Sequence, residues 1–166
     1  MVLTAKSFLS WSQQEIAVLA NKTIPEVSRI AGIDAKLPVL MGFSAGGQVA
    51  FLIWAQDAGN LGGLIINAAE PLDASQRAVL PLPQEPGFKS TPIFCIVGDK
   101  DSRCQFWKKL EDPWRKGGVP LTMRYVANQG HTWLIHGEEK AELEKWLDQV
   151  AAGKKSGMDA GKDKGL

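Results

Sequence analysis

Four short apolar runs, each bounded by glycine or proline, organise the sequence: Leu37 to Phe43, Leu64 to Ala68, Pro92 to Val97 and Leu121 to Val126. They are mostly continuous instead of alternating, which is the pattern of strands buried on both faces. Helical segments separate them in at least two places. Ala45 to Ala58 is apolar nearly all round (Val49, Phe51, Leu52, Ile53, Trp54), which predicts a buried helix with Gly59 as its C-cap. Gln105 to Lys116 is more polar, with Phe106, Trp107 and Leu110 inward and Pro113 limiting its last turn. Glu138 to Val150 predicts a surface helix with Leu143, Trp146, Leu147 and Val150 on one face. Strands alternating with helices point to α/β architecture, a parallel sheet joined by right-handed crossovers.

Ahead of the first run, Ser12 and Glu15 have capping-box spacing, and Trp11 with Ile16 would form a hydrophobic staple. Ile16, Leu19, Thr23, Val27 and Ile30 continue at helical spacing to Gly32. Pro25 marks a kink or a restart there, and Thr23 to Glu26 repeats the capping-box spacing. The irregular stretch is Glu70 to Ser90, proline-rich, with at most a turn or two of helix around Ala74 to Val79. A long loop after a strand is where an α/β domain usually places a binding wall or lid.

A length of 166 residues with 45% apolar and 22% charged side chains fits one soluble globular domain over 1–152. The polar segment 153–166 lacks the apolar residues to offset its ordering entropy and is expected to be disordered. A formal net charge of +1, with acidic and basic residues interspersed, argues against nucleic acid or an anionic membrane as the main partner. Cys95 and Cys104 do not make a disulfide framework; two unpaired thiols, with Cys95 packed as a small hydrophobe, are expected. Met1 to Lys6 carries no signal-peptide pattern and no run reaches transmembrane length. A cytoplasmic location is the default expectation, open to revision if coding sequence continues upstream of Met1.

The chemistry-bearing motif is Gly42-Phe43-Ser44-Ala45-Gly46-Gly47. A bare G-x-S-x-G is a weak signal, but here it follows an apolar strand and opens a helix, the setting a nucleophile elbow requires. Gly42 and Gly46 are expected to allow close backbone approach, and Gly47 to let the new helix pack on the sheet. Ser44 would then project from the C-terminal sheet edge at a helix N-terminus. A serine is inert without a base. Gly98-Asp99-Lys100-Asp101 follows the third run and Gly130-His131-Thr132-Trp133 the fourth, so Ser, Asp and His occur in that order, each just past a strand. Asp99 competes with Asp101 as the acid, and His136, at the start of the last helix, is the only other histidine. No metal-ligand spacing, Walker A or G-x-G-x-x-G occurs, so no cofactor or metal is expected.

With these motifs the chain resembles the α/β-hydrolase superfamily from its first helix to Val150. Its G-F-S-A-G-G elbow and G-H-T-W loop look like those of carboxylesterases, dienelactone-hydrolase-like and polyhydroxybutyrate-depolymerase or feruloyl-esterase-like proteins. The resemblance implies Ser44 as nucleophile, His131 as general base and then acid, Asp101 as its orienting group, and Ala45 N–H as an oxyanion donor. The family's G-x-x-D spacing favours Asp101 over Asp99. Phe43 and Trp133 are candidates for lining the substrate site, packing being the alternative for Trp133.

The family's sheet has eight strands, four of them before the nucleophile strand. Only four are found here, from that strand onward, so a truncated three-layer fold is expected, lacking the half that holds the second oxyanion donor. Leu37 to Phe43 would then be an exposed apolar edge, and one sheet face would lack a covering helix. A missing N-terminal half or a homodimer would cover that edge. The expected activity is hydrolysis of a small-molecule carboxylic ester through an acyl-enzyme. Alternatives are a peptidase or acyltransferase on the same residues, or a non-catalytic remnant that binds a partner.

Overall fold

The structure, a computed structural model, describes residues 11–30, 37–75 and 77–162, with side chains to Gly153. All four apolar runs form strands of one parallel sheet: β1 (Val39–Phe43), β2 (Gly63–Asn67), β3 (Ile93–Gly98) and β4 (Leu121–Val126), in the spatial order β1-β2-β3-β4. Burial explains the continuous apolar pattern. Every residue of β2 and β3 is buried, whereas β1 and β4 are the outer strands and are only partly covered. Among the described residues β1 is an outer strand, as expected, with Met41 46% exposed and Phe43 37% exposed, while Val39 and Leu40 are partly covered and Gly42 is buried.

The first helical stretch begins where its capping box lies. The Ser12 Oγ accepts from Glu15 N–H, and the Glu15 carboxylate accepts from Ser12 N–H at 2.8 Å. Ile16 is buried in the core with Trp11 packed against that core. α1 (Gln13–Val18) runs directly through a π-helical stretch, Leu19–Thr23, into α2 (Ile24–Val27). Proline lacks an N–H, so Pro25 cannot make the normal backbone bond of a helix interior. The wider turn absorbs this: Ile24 N–H reaches back to Leu19 O. Thr23 makes no cap; its hydroxyl bonds Val18 O instead, so the second capping box does not form. Gly32 lies outside the described residues.

α3 (Ala45–Asp57) and α4 (Ser102–Lys116) lie on one sheet face, as right-handed crossovers between neighbouring strands demand. A 3-10 turn over Ala58–Asn60 follows α3, in place of a simple Gly59 C-cap. Their shared core is aromatic. Phe51 stands edge-on to Trp54 and Trp114, and Trp107 meets Trp114 edge-on at 5.7 Å between ring centroids. α4 starts earlier than Gln105 because Asp101 caps it, accepting from Arg103 N–H at 3.1 Å. Both cysteines are free and buried.

The opposite face is not bare. No strand follows β4 among the described residues, so no crossover fixes the side of α5 (Gly137–Lys162), which returns across that face. There Trp146 packs on Phe94 of β3, and Leu143, Ile65, Ile96 and Leu134 complete a second core. Arg124 of β4 pairs with Glu142 of α5 at 3.2 Å. The expectation of an uncovered face is therefore corrected. α5 also runs past Val150, where Ala151, Ala152, Lys154 and Lys155 all have high helix propensity. Between β2 and β3 the helix expected around Ala74 to Val79 is replaced by a bridge, Leu72 to Val79, closed around Asp73, whose carboxylate accepts from Ser75 and Arg77 N–H. The helical turn of this segment is instead a 3-10 turn at Pro86–Ser90.

Candidate active site

Because the sheet is wholly parallel, the ends of β1, β2, β3 and β4 share one edge, and the loops that follow them converge there. Ser44 sits between β1 and α3 with φ 51° and ψ −120°, a region that side-chain-bearing residues avoid at a typical cost of about 1–3 kcal/mol. Three hydrogen bonds hold it: Ser44 N–H to Asn67 O at 3.0 Å, and Gly47 and Gln48 N–H to Ser44 O. Ala45 opens α3, so its N–H has no acceptor within the helix and is available to an anion beside Ser44.

The turn needs Gly42. A Cβ there would lie 2.3 Å from Gly46 C and O. Gly47 is needed for packing, since its Cβ would meet that of Ala69 at 2.6 Å. Gly46 is different from the expectation: nothing lies within 4 Å of a Cβ placed on it, because it faces outward from the first turn of α3. Gly46→Ala should therefore keep or slightly raise stability, by up to about 1 kcal/mol from helix propensity. Gly42→Ala should destabilise the fold severely. Thermal melts of the two variants check this contrast.

The structure brings three of the sequence candidates into one hydrogen-bonded chain. His131 Nε2 lies 2.9 Å from Ser44 Oγ, and His131 Nδ1 lies 2.8 Å from Asp101 Oδ2. Asp101 is buried and Asp99 is exposed, so Asp101 is the carboxylate beside the imidazole. Gly98 makes this possible. A Cβ on Gly98 would stand 2.2 Å from Gln129 O, so only glycine lets the loop carrying His131 close over the loop carrying Asp101. His136 is exposed and lies outside the cluster, at the start of α5. Phe43 stacks on the His131 ring at 5.3 Å, and Trp133 meets Phe43 edge-on at 6.1 Å. Trp133 is 45% exposed, so it is a surface aromatic beside Phe43 and not a core residue.

Burial alone would raise the Asp101 carboxyl, but the Arg103 N–H, the His131 hydrogen bond and the Arg103 charge together hold it below its ordinary value. A lowered folded-state value stabilises the fold above the unfolded value, about 3.9, and that stabilisation is lost as pH falls through the folded value. Asp101→Asn should flatten this acid-side loss. Urea unfolding at pH 6 and at progressively lower pH, compared between the two proteins, measures it.

No protein-family model matches the chain, and no curated protein matches it in sequence. Solved structures do match in fold. Zea mays acyl-protein thioesterase 2 is 18% identical with a TM-score of 0.59, over 82% of this chain and 65% of that one. A Bacillus cereus carboxylesterase is 16% identical with a TM-score of 0.61, over 89% of this chain and 68% of that one. A Mesorhizobium loti carboxylesterase is 15% identical with a TM-score of 0.62, over 87% and 66% respectively. This is a shortened α/β-hydrolase fold. The chain spans 65% of the length of the maize protein, and β1 is its outer strand.

Within this α/β-hydrolase fold, three residues at the site carry no motif. Arg103 Nη1 lies 3.3 Å from Asp101 Oδ1 and 3.1 Å from His131 Nδ1, while its Nε pairs with Glu70. Nδ1 can satisfy only one neighbour: as N–H it donates to Asp101, and as a lone pair it accepts from Arg103. The shorter contact is to Asp101. The third residue, Asn67, ends β2 and is fully buried. A polar residue inside the apolar run Leu64 to Ala68 was the available sign of it. Among the described residues, no group of three or more His, Cys, Asp or Glu side chains could hold a metal ion. Among the same residues, no helix is long and apolar enough to cross a membrane.

Proposed function

We propose that this chain carries the reacting residues of a serine hydrolase that cleaves a carboxylic ester through an acyl-enzyme. The observation that carries the reading is the unbroken chain from Ser44 Oγ through His131 to a buried Asp101, built at a strained strand-to-helix turn. Ser44 Oγ attacks the ester carbonyl carbon while its proton passes to His131 Nε2. Asp101 Oδ2 accepts from Nδ1–H, which fixes the tautomer and stabilises the imidazolium. The carbonyl oxygen, now an oxyanion, takes the Ala45 N–H and the positive end of α3. The tetrahedral intermediate collapses, the alkoxide leaves with the proton from Nε2, and water repeats the cycle on the acyl-serine. Phe43 and Trp133 form the apolar rim against which the ester's organic part would rest.

The solved relatives support ester or thioester cleavage in general: two bear the name carboxylesterase and one acyl-protein thioesterase. Losing one oxyanion donor costs on the order of 2.7–4 kcal/mol, so a chain supplying only the Ala45 N–H would be a slow enzyme with an intact nucleophile. The outer position of β1 among the described strands, with Met41 and Phe43 exposed, favours a working form in which further polypeptide or a second copy pairs along it. Turnover of p-nitrophenyl acetate tests the reading. Hydrolysis above the buffer rate that disappears in Ser44→Ala supports it, and hydrolysis indifferent to Ser44 rejects it.

A further inference from the structure

Asn67 touches both halves of the reacting pair. Its main-chain O accepts from Ser44 N–H at 3.0 Å, a bond that helps to hold the strained elbow. Its side chain crosses to the other loop, where Oδ1 accepts from Leu134 N–H at 2.9 Å and Nδ2 donates to Thr132 O at 3.5 Å. Those two bonds bracket the residues immediately after His131. The loop between β4 and α5 contains no helix or strand of its own, and His131 is exposed. Gln129 O accepts from Lys100 N–H at 2.9 Å and His131 itself bonds Asp101, but the backbone bonds made by the residues after His131 are short-range: Thr132 N–H to Gly130 O and His136 N–H to Leu134 O. The fully buried Asn67 hydrogen-bonds a sheet strand to the segment just after His131, and it is registered opposite Phe43 on β1 and Ile96 on β3.

An amide in this apolar layer is costly unless it is satisfied, because a buried polar group gives up its bonds to water and must replace them. A leucine, with the same number of side-chain heavy atoms, would suit the apolar neighbours Ile96 and Leu134 better. We propose that Asn67 is a positioning residue of the hydrolytic site, setting the distance between Ser44 Oγ and His131 Nε2 by holding the elbow with its backbone and the histidine loop with its side chain. This rests on the serine-hydrolase reading. It predicts that loss of the side chain displaces His131, together with its neighbour Trp133, while leaving Ser44 and Phe43 in place. A misplacement near 1 Å lowers the rate on the order of 100-fold.

The test uses Asn67→Leu and Asn67→Asp in the full chain; the aspartate keeps the acceptor for Leu134 N–H and loses the donor to Thr132 O. Three quantities are read in each folded protein: the rate of fluorophosphonate labelling at Ser44, the KM and kcat for p-nitrophenyl acetate, and the downfield proton resonance of the His131 N–H bonded to Asp101. The expected result is slower labelling and a fall in kcat larger than any change in KM, with a shifted or broadened His131 resonance, the leucine variant more affected than the aspartate. Labelling at the unaltered rate, or slowed only by the unfolded fraction seen in circular dichroism, overturns the proposal. If Asn67→Leu does not fold, the same readings on Asn67→Asp decide it. If the unaltered chain does not label at all, the hydrolase reading fails by itself, and the His131 resonance still reports whether Asn67 holds the loop.

Discussion

Replacing His131 with alanine should slow acylation of Ser44 by a p-nitrophenyl ester nearly as much as replacing Ser44 itself. A hydroxyl with no base beside it is almost unreactive at neutral pH, so either loss removes the nucleophile as a functioning unit. In serine hydrolases the two single losses and their combination cost about the same, on the order of 10⁶ in rate. Asp101→Asn should cost less, on the order of 10⁴, because the imidazole survives in the wrong tautomer. That variant has an added consequence here. With the carboxylate gone, Arg103 Nη1, 3.1 Å from Nδ1, becomes the preferred donor to that nitrogen and locks the proton onto Nε2, where it points at Ser44. Pre-steady-state kinetics on the three single variants and the Ser44→Ala, His131→Ala double variant check the ordering. Additive losses would show that the residues do not act as one unit.

The second large effect concerns stability. Trp107 is fully buried, packs on Phe51 and Trp114, and donates its indole N–H to Ala69 O at 2.8 Å. Trp107→Ala should cost about 3–5 kcal/mol for the cavity, with a further contribution from the buried Ala69 carbonyl left unpaired. That is a large share of the roughly 5–15 kcal/mol that holds a domain folded. Ala69 lies two residues from Asn67, so the same change loosens the segment that supports the elbow. Trp107→Phe loses the hydrogen bond but keeps part of the ring contact and leaves a smaller cavity, so its cost should fall between those of the unaltered protein and Trp107→Ala. Urea midpoints for the series measure the split, and equal losses for phenylalanine and alanine would assign the whole effect to the hydrogen bond.

The strands were legible because β2 and β3 are buried on both faces and therefore read as unbroken apolar runs closed by glycine and proline. Ser44, Asp101 and His131 were legible as positions because a parallel sheet sends every post-strand loop to one edge, so chain order alone places them together. What escaped depends on neighbours distant in the chain. Asn67 meets Leu134 at a separation of 67 residues, and no local pattern marks that contact. Arg103 reads as an ordinary first-turn helix residue until Glu70 and Asp101 are seen on either side of it. Gly46 was read as a close-approach glycine, yet the approach is made by Gly42 onto the Gly46 backbone, and a motif cannot say which of two glycines is the crowded one. The cover of α5 over the second face was missed because crossover handedness constrains only helices between strands, and α5 follows the last one.

The central claim is that Ser44 is an activated nucleophile. The direct measurement is mass-spectrometric localisation of a fluorophosphonate adduct after treatment of the full chain and of its Ser44→Ala and His131→Ala variants. A stoichiometric adduct on Ser44, absent from Ser44→Ala and strongly slowed in His131→Ala, is the predicted result. No adduct on a folded chain, or an adduct elsewhere that persists in both variants, would contradict it.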